Sequence, residues 1–517
     1  MAASRGRTLR VRGRIYTGDW EGEAVTHALW VEDGVVRATG DEALAAGRPD
    51  EARDLGPGEC GVPGFWDSHI HLADYGFALG EVDLEGAESA DAVVERLRAE
   101  AGPGDGTLVG RGWMVGRWRG PMPHRRQLDV LGDRPVLLWN HDHHSVWANT
   151  AALKRAGIDA RVPDPAGGRV ERDDDGEPTG ILRDDAVDLV RDLWPARTPE
   201  AVEAALRRAQ QALLSLGVTA VCTMQEGAEA VRALARLRDR GELLLRVAVY
   251  PPVEAMDGLI GAGLATGFGD DRLWLGGVKA FMDGALGSQT AWMRSPYREV
   301  EGTGLAMPFA AALPEVLGRL RRADLRLALH AIGDRAVAEA VTALAAPGSL
   351  ALPERIEHAQ LVPPDVVARW PGARLAASMQ PVHLTDDLEL MARFWGEERA
   401  RHAFPLRSLR ALGVLLLFGS DAPVSDPDPL KGLWAAVERR RPGGAALAPE
   451  EALTPAEALR AYAAAPAAAE GRPHLGRLTP GSPLALTVLS ADPLAPQTDL
   501  SRLRVTAVLT AEAAAAG

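Results

Sequence analysis

Cysteine is nearly absent from the 517 residues. Only Cys60 and Cys222 occur, too few for a disulfide framework and suited to a reducing cytosol. Long hydrophobic runs are missing too. No window approaches the roughly 18 uninterrupted apolar residues of a membrane span, and the N-terminal MAASRGRTLRVRGRIYTGD lacks the apolar stretch of a signal peptide. Positive charge is in deficit: 57 Lys and Arg against 71 Asp and Glu give a net charge of −14. That balance argues against a nucleic-acid groove or an anionic membrane surface as partner. The alanine-rich patches AYAAAPAAAEG and AEAAAAG read as low-complexity drift. What these absences leave is a cytoplasmic protein whose 46% hydrophobic and 25% charged residues are those of an ordinary globular chain.

What is present is alternation. Eight apolar runs of strand length begin with GFWDSHIHL and continue through GVTAVCTMQ, LLRVAVY, LGGVKAFMDG, LRLALHAIGD, RIEHAQLV, RLAASMQP and VLLLFGSDAP. Amphipathic helical patterns such as PEAVEAALRRAQQALLSLG, AEAVRALARLRDRGE and ALPEVLGRLRRAD separate several of them. Strand–helix alternation predicts a parallel sheet, and eight such units predict an α/β fold of the (β/α)₈ TIM-barrel type. The first sixty residues and the last fifty or so read instead as short strands and turns, with a hairpin at Asp33-Gly34. They predict a small β-sandwich domain built from residues 1–62 and 470–517, flanking a barrel over 63–469. Between the first two barrel strands lies an insert of about residues 73–198. Connections in α/β units usually take about 2–6 residues, so this insert is expected to cover the active site.

Polar residues fall at the ends of these runs. His69 and His71 end the first, Lys279 and Asp283 belong to the fourth, His330 to the fifth, His358 to the sixth and Asp421 to the eighth. Barrel chemistry gathers at the C-terminal ends of strands, where these side chains would converge. His69 and His71, two apart on a strand, share a face and can reach one ion. Imidazole suits zinc, and a carboxylate adds an oxygen ligand. A catalytic zinc brings the pKa of its water to about 7 and so yields a hydroxide nucleophile. Asp421 could take the proton and return it to a leaving amine. An ammonium is no ligand, but Lys279 becomes one if carbon dioxide converts it to a carbamate. Taken singly, His330 and His358 read as hydrogen-bonded core histidines, Lys279 as a buried ion-pair partner and Asp421 as a helix cap. Taken together, their shared place at strand ends predicts a metal site.

The order HxH, Lys, His, His, Asp resembles the metal-dependent amidohydrolase superfamily. The segments GRGWMVGRW, LLWNHDHHSVWANTAAL, DGEPTGILRD, VKAFMDGALGSQTA, HAIGDRAV, RIEHAQLV and FGSDAPV resemble its YtcJ-like, type 3 branch, which includes N-substituted formamide deformylases. The resemblance implies His69 and His71 on one divalent metal and His330 and His358 on a second, bridged by N-carboxylated Lys279, with Asp421 as ligand and general base. A single-ion site on His69, His71 and Asp421 is the alternative. Zinc is the first choice of metal, then iron or manganese. Asp142 and His144 of NHDHHS match a family Asp-Gly-His segment, with His143 in place of glycine, and Asp184 stands where the family has glutamate. Trp113, Asp142, His144, Asp283, Gln380 and His383 are the candidate substrate contacts, although Trp113 reads equally well as core of the insert. In the tail, Ala485 replaces the aspartate expected before a hydrophobic strand.

The function this implies is hydrolysis of a C–N bond, amide or formamide in type, in a small molecule. Metal-bound hydroxide would be the nucleophile and Asp421 the general base and acid, in a chain that would be unsurprising as a homodimer. The same ligands would serve an ester, a lactone, a cyclic amide or a deamination. A non-catalytic barrel scaffold is the reading from another class, and it predicts eroded ligand positions that this sequence does not have.

Overall fold

Apolar runs ending in polar residues form the buried strands of this chain in a computed structural model. It describes residues 7–512 apart from 21, 23, 101–105, 115–117, 119–121, 141–144, 166 and 346–349. The chain packs as two units, residues 1–75 with 206–517 and residues 76–205.

In the first unit, strands β1 (Phe65–Ile70), β2 (Val218–Met224), β3 (Arg246–Tyr250) and β4 (Leu273–Leu275) pair in parallel, in the order β4-β3-β2-β1. Strands β5 (Val278–Phe281), β6 (Leu327–Ala331), β7 (Glu354–His358), β8 (Leu375–Met379) and β9 (Leu416–Phe418) form a second parallel sheet in chain order. Every residue of β1, β2, β3, β6, β7, β8 and β9 is buried, as expected of parallel strands covered on both faces. Amphipathic helices connect several of them, including Pro199–Ser215, Ala228–Asp239, Pro308–Arg322 and Asp334–Leu344. Proline at the first turn of Pro308–Arg322 starts that helix without losing a needed N–H.

Backbone hydrogen bonds link the two sheets on both sides. Asp421 N donates to His69 O at 2.6 Å and His71 N to Ala422 O at 2.9 Å, where β9 meets β1. Gly276 N donates to Val249 O and Lys279 N to Pro251 O, both at 2.9 Å. Thus LWLGGVKAF is one run broken at Gly276-Gly277, and the eight strand-like runs of the sequence appear as nine strands. The break has a steric cause. A Cβ on Gly276 would lie 2.3 Å from the Tyr250 ring, and one on Gly277 would lie 2.4 Å from the Arg326 carbonyl oxygen. Gly277 also has φ of +154°, which side-chain-bearing residues rarely adopt. Between the sheets, Trp66, Cys222, Met224, Tyr250, Trp274 and Ala328 pack in one apolar cluster with Ala467 and Leu475.

The chain termini, expected to form a sandwich, build one seven-stranded sheet. Its strands are Thr8–Tyr16, Val25–Glu32, Val35–Thr39, Glu51–Asp54, Cys60–Pro63, Ala485–Leu489 and Val505–Thr510. The hairpin turns at Asp33 and Gly34, both with positive φ (48° and 73°), the signature of a two-residue turn that matches strand twist. Ala485, the departure noted in the tail, pairs with Thr510 inside this sheet.

The second unit carries a six-stranded sheet of its own, from Val82–Asp83 to Pro178–Asp184. Its core holds Trp113, Leu138 and Trp147, and the Trp113 indole N–H donates to Leu138 O at 2.8 Å. This sheet was not anticipated, because loops rich in Gly, Pro and charge hide its short strands. Among the described residues, no helix is long and apolar enough to cross a membrane.

Gly276→Ala tests the packing at the break. The added methyl group must displace a fully buried tyrosine, so a loss of about 1–3 kcal/mol in urea unfolding is expected. An unchanged midpoint would show that the ring can move aside freely.

Candidate metal centre

Three ligand atoms, one each from His69, His358 and Asp421, lie within 4.8 Å of one another, and all three residues are buried. They come from β1, the end of β7 and the residues just after β9. His358 and Asp421 have φ of +69° and +63°. Left-handed backbone at a non-glycine residue costs energy and gathers at functional sites. Here it lets the chain turn at the strand end while the side chain faces the centre.

Second contacts orient each ligand. The His69 Nδ1 lies 2.6 Å from Glu357 Oε2. An ionised carboxylate only accepts, so Nδ1 carries the hydrogen and Nε2 keeps its lone pair. That Nε2 is 3.3 Å from Asp421 Oδ1. The His358 Nδ1 likewise donates to Gln380 Oε1 at 2.9 Å. Asp67 joins the strands beneath: its Oδ1 accepts from His69 N at 3.1 Å and Ser420 N at 3.0 Å, and its Oδ2 from the Ser420 hydroxyl. Gly419 makes that approach feasible, since a Cβ there would sit 2.5 Å from His69 N.

The other predicted ligands surround this trio. His71 Nε2 is 3.3 Å from Asp421 Oδ1, and its side chain is 23% exposed, the most open of the six. Lys279 Nζ is buried beside the Phe281 ring, 5.0 Å from its centroid. The His330 ring lies 4.5 Å from that of His358, yet its Nε2 donates to Gly284 O at 3.1 Å. Nδ1 is therefore the nitrogen His330 has available. The compact trio takes one histidine from each of the two pairs implied by the family resemblance.

Electrostatics favours the binding form at His69, His330, His358 and Asp421, whereas at His71 burial pushes the imidazole down but the Asp421 carboxylate raises it overall. Burial, then the Lys279 charge, pushes the His69 imidazole down to about 4 and that of His330 down to about 3, so both are neutral. Burial pushes the Lys279 ammonium down to about 8. Burial alone would raise Asp421, but His69, His71 and His358 around it hold it well below the usual carboxylate range. The residues fit a cation. His69 Nε2, Lys279 Nζ and Asp421 Oδ1 are all buried and make no hydrogen bond among the described residues. Orphaned polar atoms of this kind are costly unless something binds them.

The candidate substrate contacts divide. Gln380 and His383 stand at the end of β8, the His383 ring parallel to His358 at 6.2 Å, and the Nε2 atoms of Gln380 and His383 are buried without a partner among the described residues. Asp283 is fully buried and held by three backbone N–H groups, those of Trp292, Gly333 and Ile332, at 2.8–3.1 Å. It fixes the segment after β5 rather than facing open space. Trp113 is a core residue of the second unit. Asp142, His143 and His144 lie outside the described residues. Asp184 ends a strand of the second unit's sheet with φ of +48°.

Sequence reasoning passed over Glu357, Arg355 and Asp67. A signal existed: Arg355 and Glu357 stand two apart in the run RIEHAQLV, which reads as a buried strand, and buried charges at that spacing need partners.

With this geometry in view, comparison with known proteins is decisive. The model of the amidohydrolase family, Amidohydro_3, matches residues 58–513. The chain belongs to the amidohydrolase family. A Bacillus subtilis (strain 168) protein named "Putative amidohydrolase YtcJ" is 31% identical over 93% of this amidohydrolase and 94% of its own length. The N-substituted formamide deformylase of Arthrobacter pascens is 28% identical over 90% of each chain. These relatives place the amidohydrolase in the YtcJ-like, type 3 branch, and it is a hydrolase acting on C–N bonds. An uncharacterized metal-dependent hydrolase from Pyrococcus horikoshii OT3 superposes with a TM-score of 0.81 at 30% identity, covering 96% of the amidohydrolase and 99% of the other chain.

Asp283→Asn tests the strut. An amide has one acceptor oxygen where the carboxylate uses two against three N–H groups, so at least one buried donor loses its partner. A loss of about 1–3 kcal/mol is expected in chemical denaturation. Wild-type stability in that variant would remove the strut role.

Proposed function

We propose that this amidohydrolase is a metal-dependent hydrolase that opens an amide- or formamide-type C–N bond in a small molecule. The observation that carries the reading is the buried trio of His69, His358 and Asp421, of which His69 Nε2 and Asp421 Oδ1, like Lys279 Nζ, make no hydrogen bond among the described residues. His69, His71, Lys279, His330, His358 and Asp421 would hold the divalent metal, one ion or two, with zinc the first choice. When bound, such a metal lowers the pKa of a coordinated water to about 7 and polarises a carbonyl.

The protein's own groups then do the following. Asp421, in contact with His69 and His71, accepts the proton of the attacking water and hands it to the departing nitrogen. The Nε2 groups of Gln380 and of His383 in its Nε2–H tautomer, which have no partner among the described residues, donate to the carbonyl oxygen as charge develops there. Lys279, buried and without a hydrogen-bond partner among the described residues, would in its neutral amine form add to carbon dioxide, forming the N–C bond and releasing one proton, to become an anionic oxygen ligand. The two parallel sheets, hydrogen-bonded along both sides, act as one (β/α)₈-type barrel that brings these strand ends together. The enzyme works in the cytoplasm on a soluble substrate, with neither nucleic acid nor membrane as partner.

Two measurements test this. Metal analysis of protein purified without chelator and with bicarbonate is expected to give two ions per chain if Lys279 bridges and one if it does not. Protein that takes up no metal after reconstitution would end the reading. Asp421→Asn is expected to lower kcat on N-substituted formamides by about 10²–10⁴-fold while the fold is kept. Undiminished turnover would remove Asp421 from the mechanism.

A further inference from the structure

Glu470 closes the alanine-rich stretch that the sequence suggested was drift, and it is 2% exposed. Its carboxylate takes both oxygens' bonds from Arg326 NH2 at 2.7 Å, a bond from the Tyr250 hydroxyl at 2.7 Å and one from the Trp274 indole at 3.2 Å. A second arginine, Arg355, reaches the same carboxylate at 3.4 Å. Through Nε, Arg355 also donates to Glu357 Oε1 at 2.5 Å. Glu357 in turn receives His69 Nδ1 on Oε2. Two acids thus flank two bases, with Glu470 bonded to Arg326 and Arg355 and Glu357 bonded to Arg355, and Glu357 touches the histidine of the trio.

Arg355 holds His69 twice. Besides Glu357, its NH2 group donates to the carbonyl of Ser68, the residue before His69, and to the Ser378 hydroxyl. Both guanidinium groups lie over the Tyr250 ring, at 5.1 and 5.4 Å from its centroid. Arg326, Arg355, Glu357 and Tyr250 are each no more than 1% exposed, so water does not screen the imbalance if one charge is lost. Two arginines balance two glutamates. Without Glu470 the pair of arginines carries one uncompensated charge, and Arg355 keeps Glu357, the carboxylate that orients His69, as its acid partner.

We propose that Glu470 is a positioning residue for His69, acting through Arg355 and Glu357. By balancing the charge of the two arginines it limits the pull of Arg355 on Glu357, whose Oε2 takes both the imidazole at 2.6 Å and Arg355 NH2 at 3.2 Å, and so fixes the ring's angle and its ligating nitrogen. The inference rests on His69 being a metal ligand.

The test uses the full-length chain, stripped of metal by chelation and titrated with Co²⁺ alone, whose visible absorption reports ligand geometry. Glu470→Gln keeps the shape and most hydrogen bonds but removes the charge. It is expected to bind Co²⁺ about 10–100-fold more weakly, as loss of an outer partner usually does, with an altered visible spectrum. The double variant Arg326→Met, Glu470→Gln removes one charge of each sign and is expected to recover most of the affinity and the wild-type spectrum. A purely structural role would not give that recovery. Wild-type affinity and spectrum in folded Glu470→Gln would overturn the proposal, as would a double variant no better than the single one. If the single variant fails to fold, the double variant decides alone. Failure of both to fold would make the ladder a folding requirement and overturn the positioning role. If wild-type protein takes up no Co²⁺, the metal reading itself fails, and this inference with it.

Discussion

The carboxylate of Glu357 is shared between a guanidinium on one side and an imidazole on the other, with all three groups sealed from water. A buried ion costs several kcal/mol unless its partners are near and well aimed. The fold around it satisfies that demand. Parallel strands bring Arg355 and Glu357 onto one face of β7, β1 presents His69 opposite, and residues far away in sequence supply the second acid, Glu470. The glycine pair at Gly276-Gly277 belongs to the same constraint. It leaves space for the Tyr250 ring and for Arg326 at the lower end of the ladder. Chemistry at the strand ends and charge balance beneath them are therefore one problem with one solution.

Much of this was readable from the sequence. The eight apolar runs announced the parallel strands because they are continuous, lie between helical patterns and end in polar residues. His69, His358 and Asp421 stood out because they occupy those ends, and the structure brings them together. The strand break at Gly276-Gly277 escaped notice because a glycine pair inside an apolar run gives no hint of the ring it must accommodate. The sheet of the second unit, which mixes parallel and antiparallel pairs, stayed hidden because its strands are short and lie among loops rich in Gly, Pro and charge.

The supporting charges were harder for another reason. Glu470 sits among alanines, where composition suggests nothing, and its partners are Arg326 and Arg355, more than a hundred residues away. Only the three-dimensional path shows that a lone acid in a bland segment is the counterion of two buried bases. Asp283 shows the converse. Its place after β5 suggested a substrate contact, yet its carboxylate accepts from Trp292 N in its own segment and from Ile332 N and Gly333 N after β6. Identity and position along the strand name a candidate, but the count of nearby N–H groups decides its use.

The left-handed backbone at His358 and Asp421 has a consequence for evolvability. Aspartate, asparagine and histidine tolerate that conformation several-fold better than most side chains. Replacing either residue by cysteine, or by a branched side chain, would therefore meet backbone strain before any question of affinity arose. The main chain itself acts as a filter on donor chemistry. It confines these two corners to imidazole, carboxylate or amide, and so steers the pocket toward hard and borderline cations and away from the soft ions that thiolates collect.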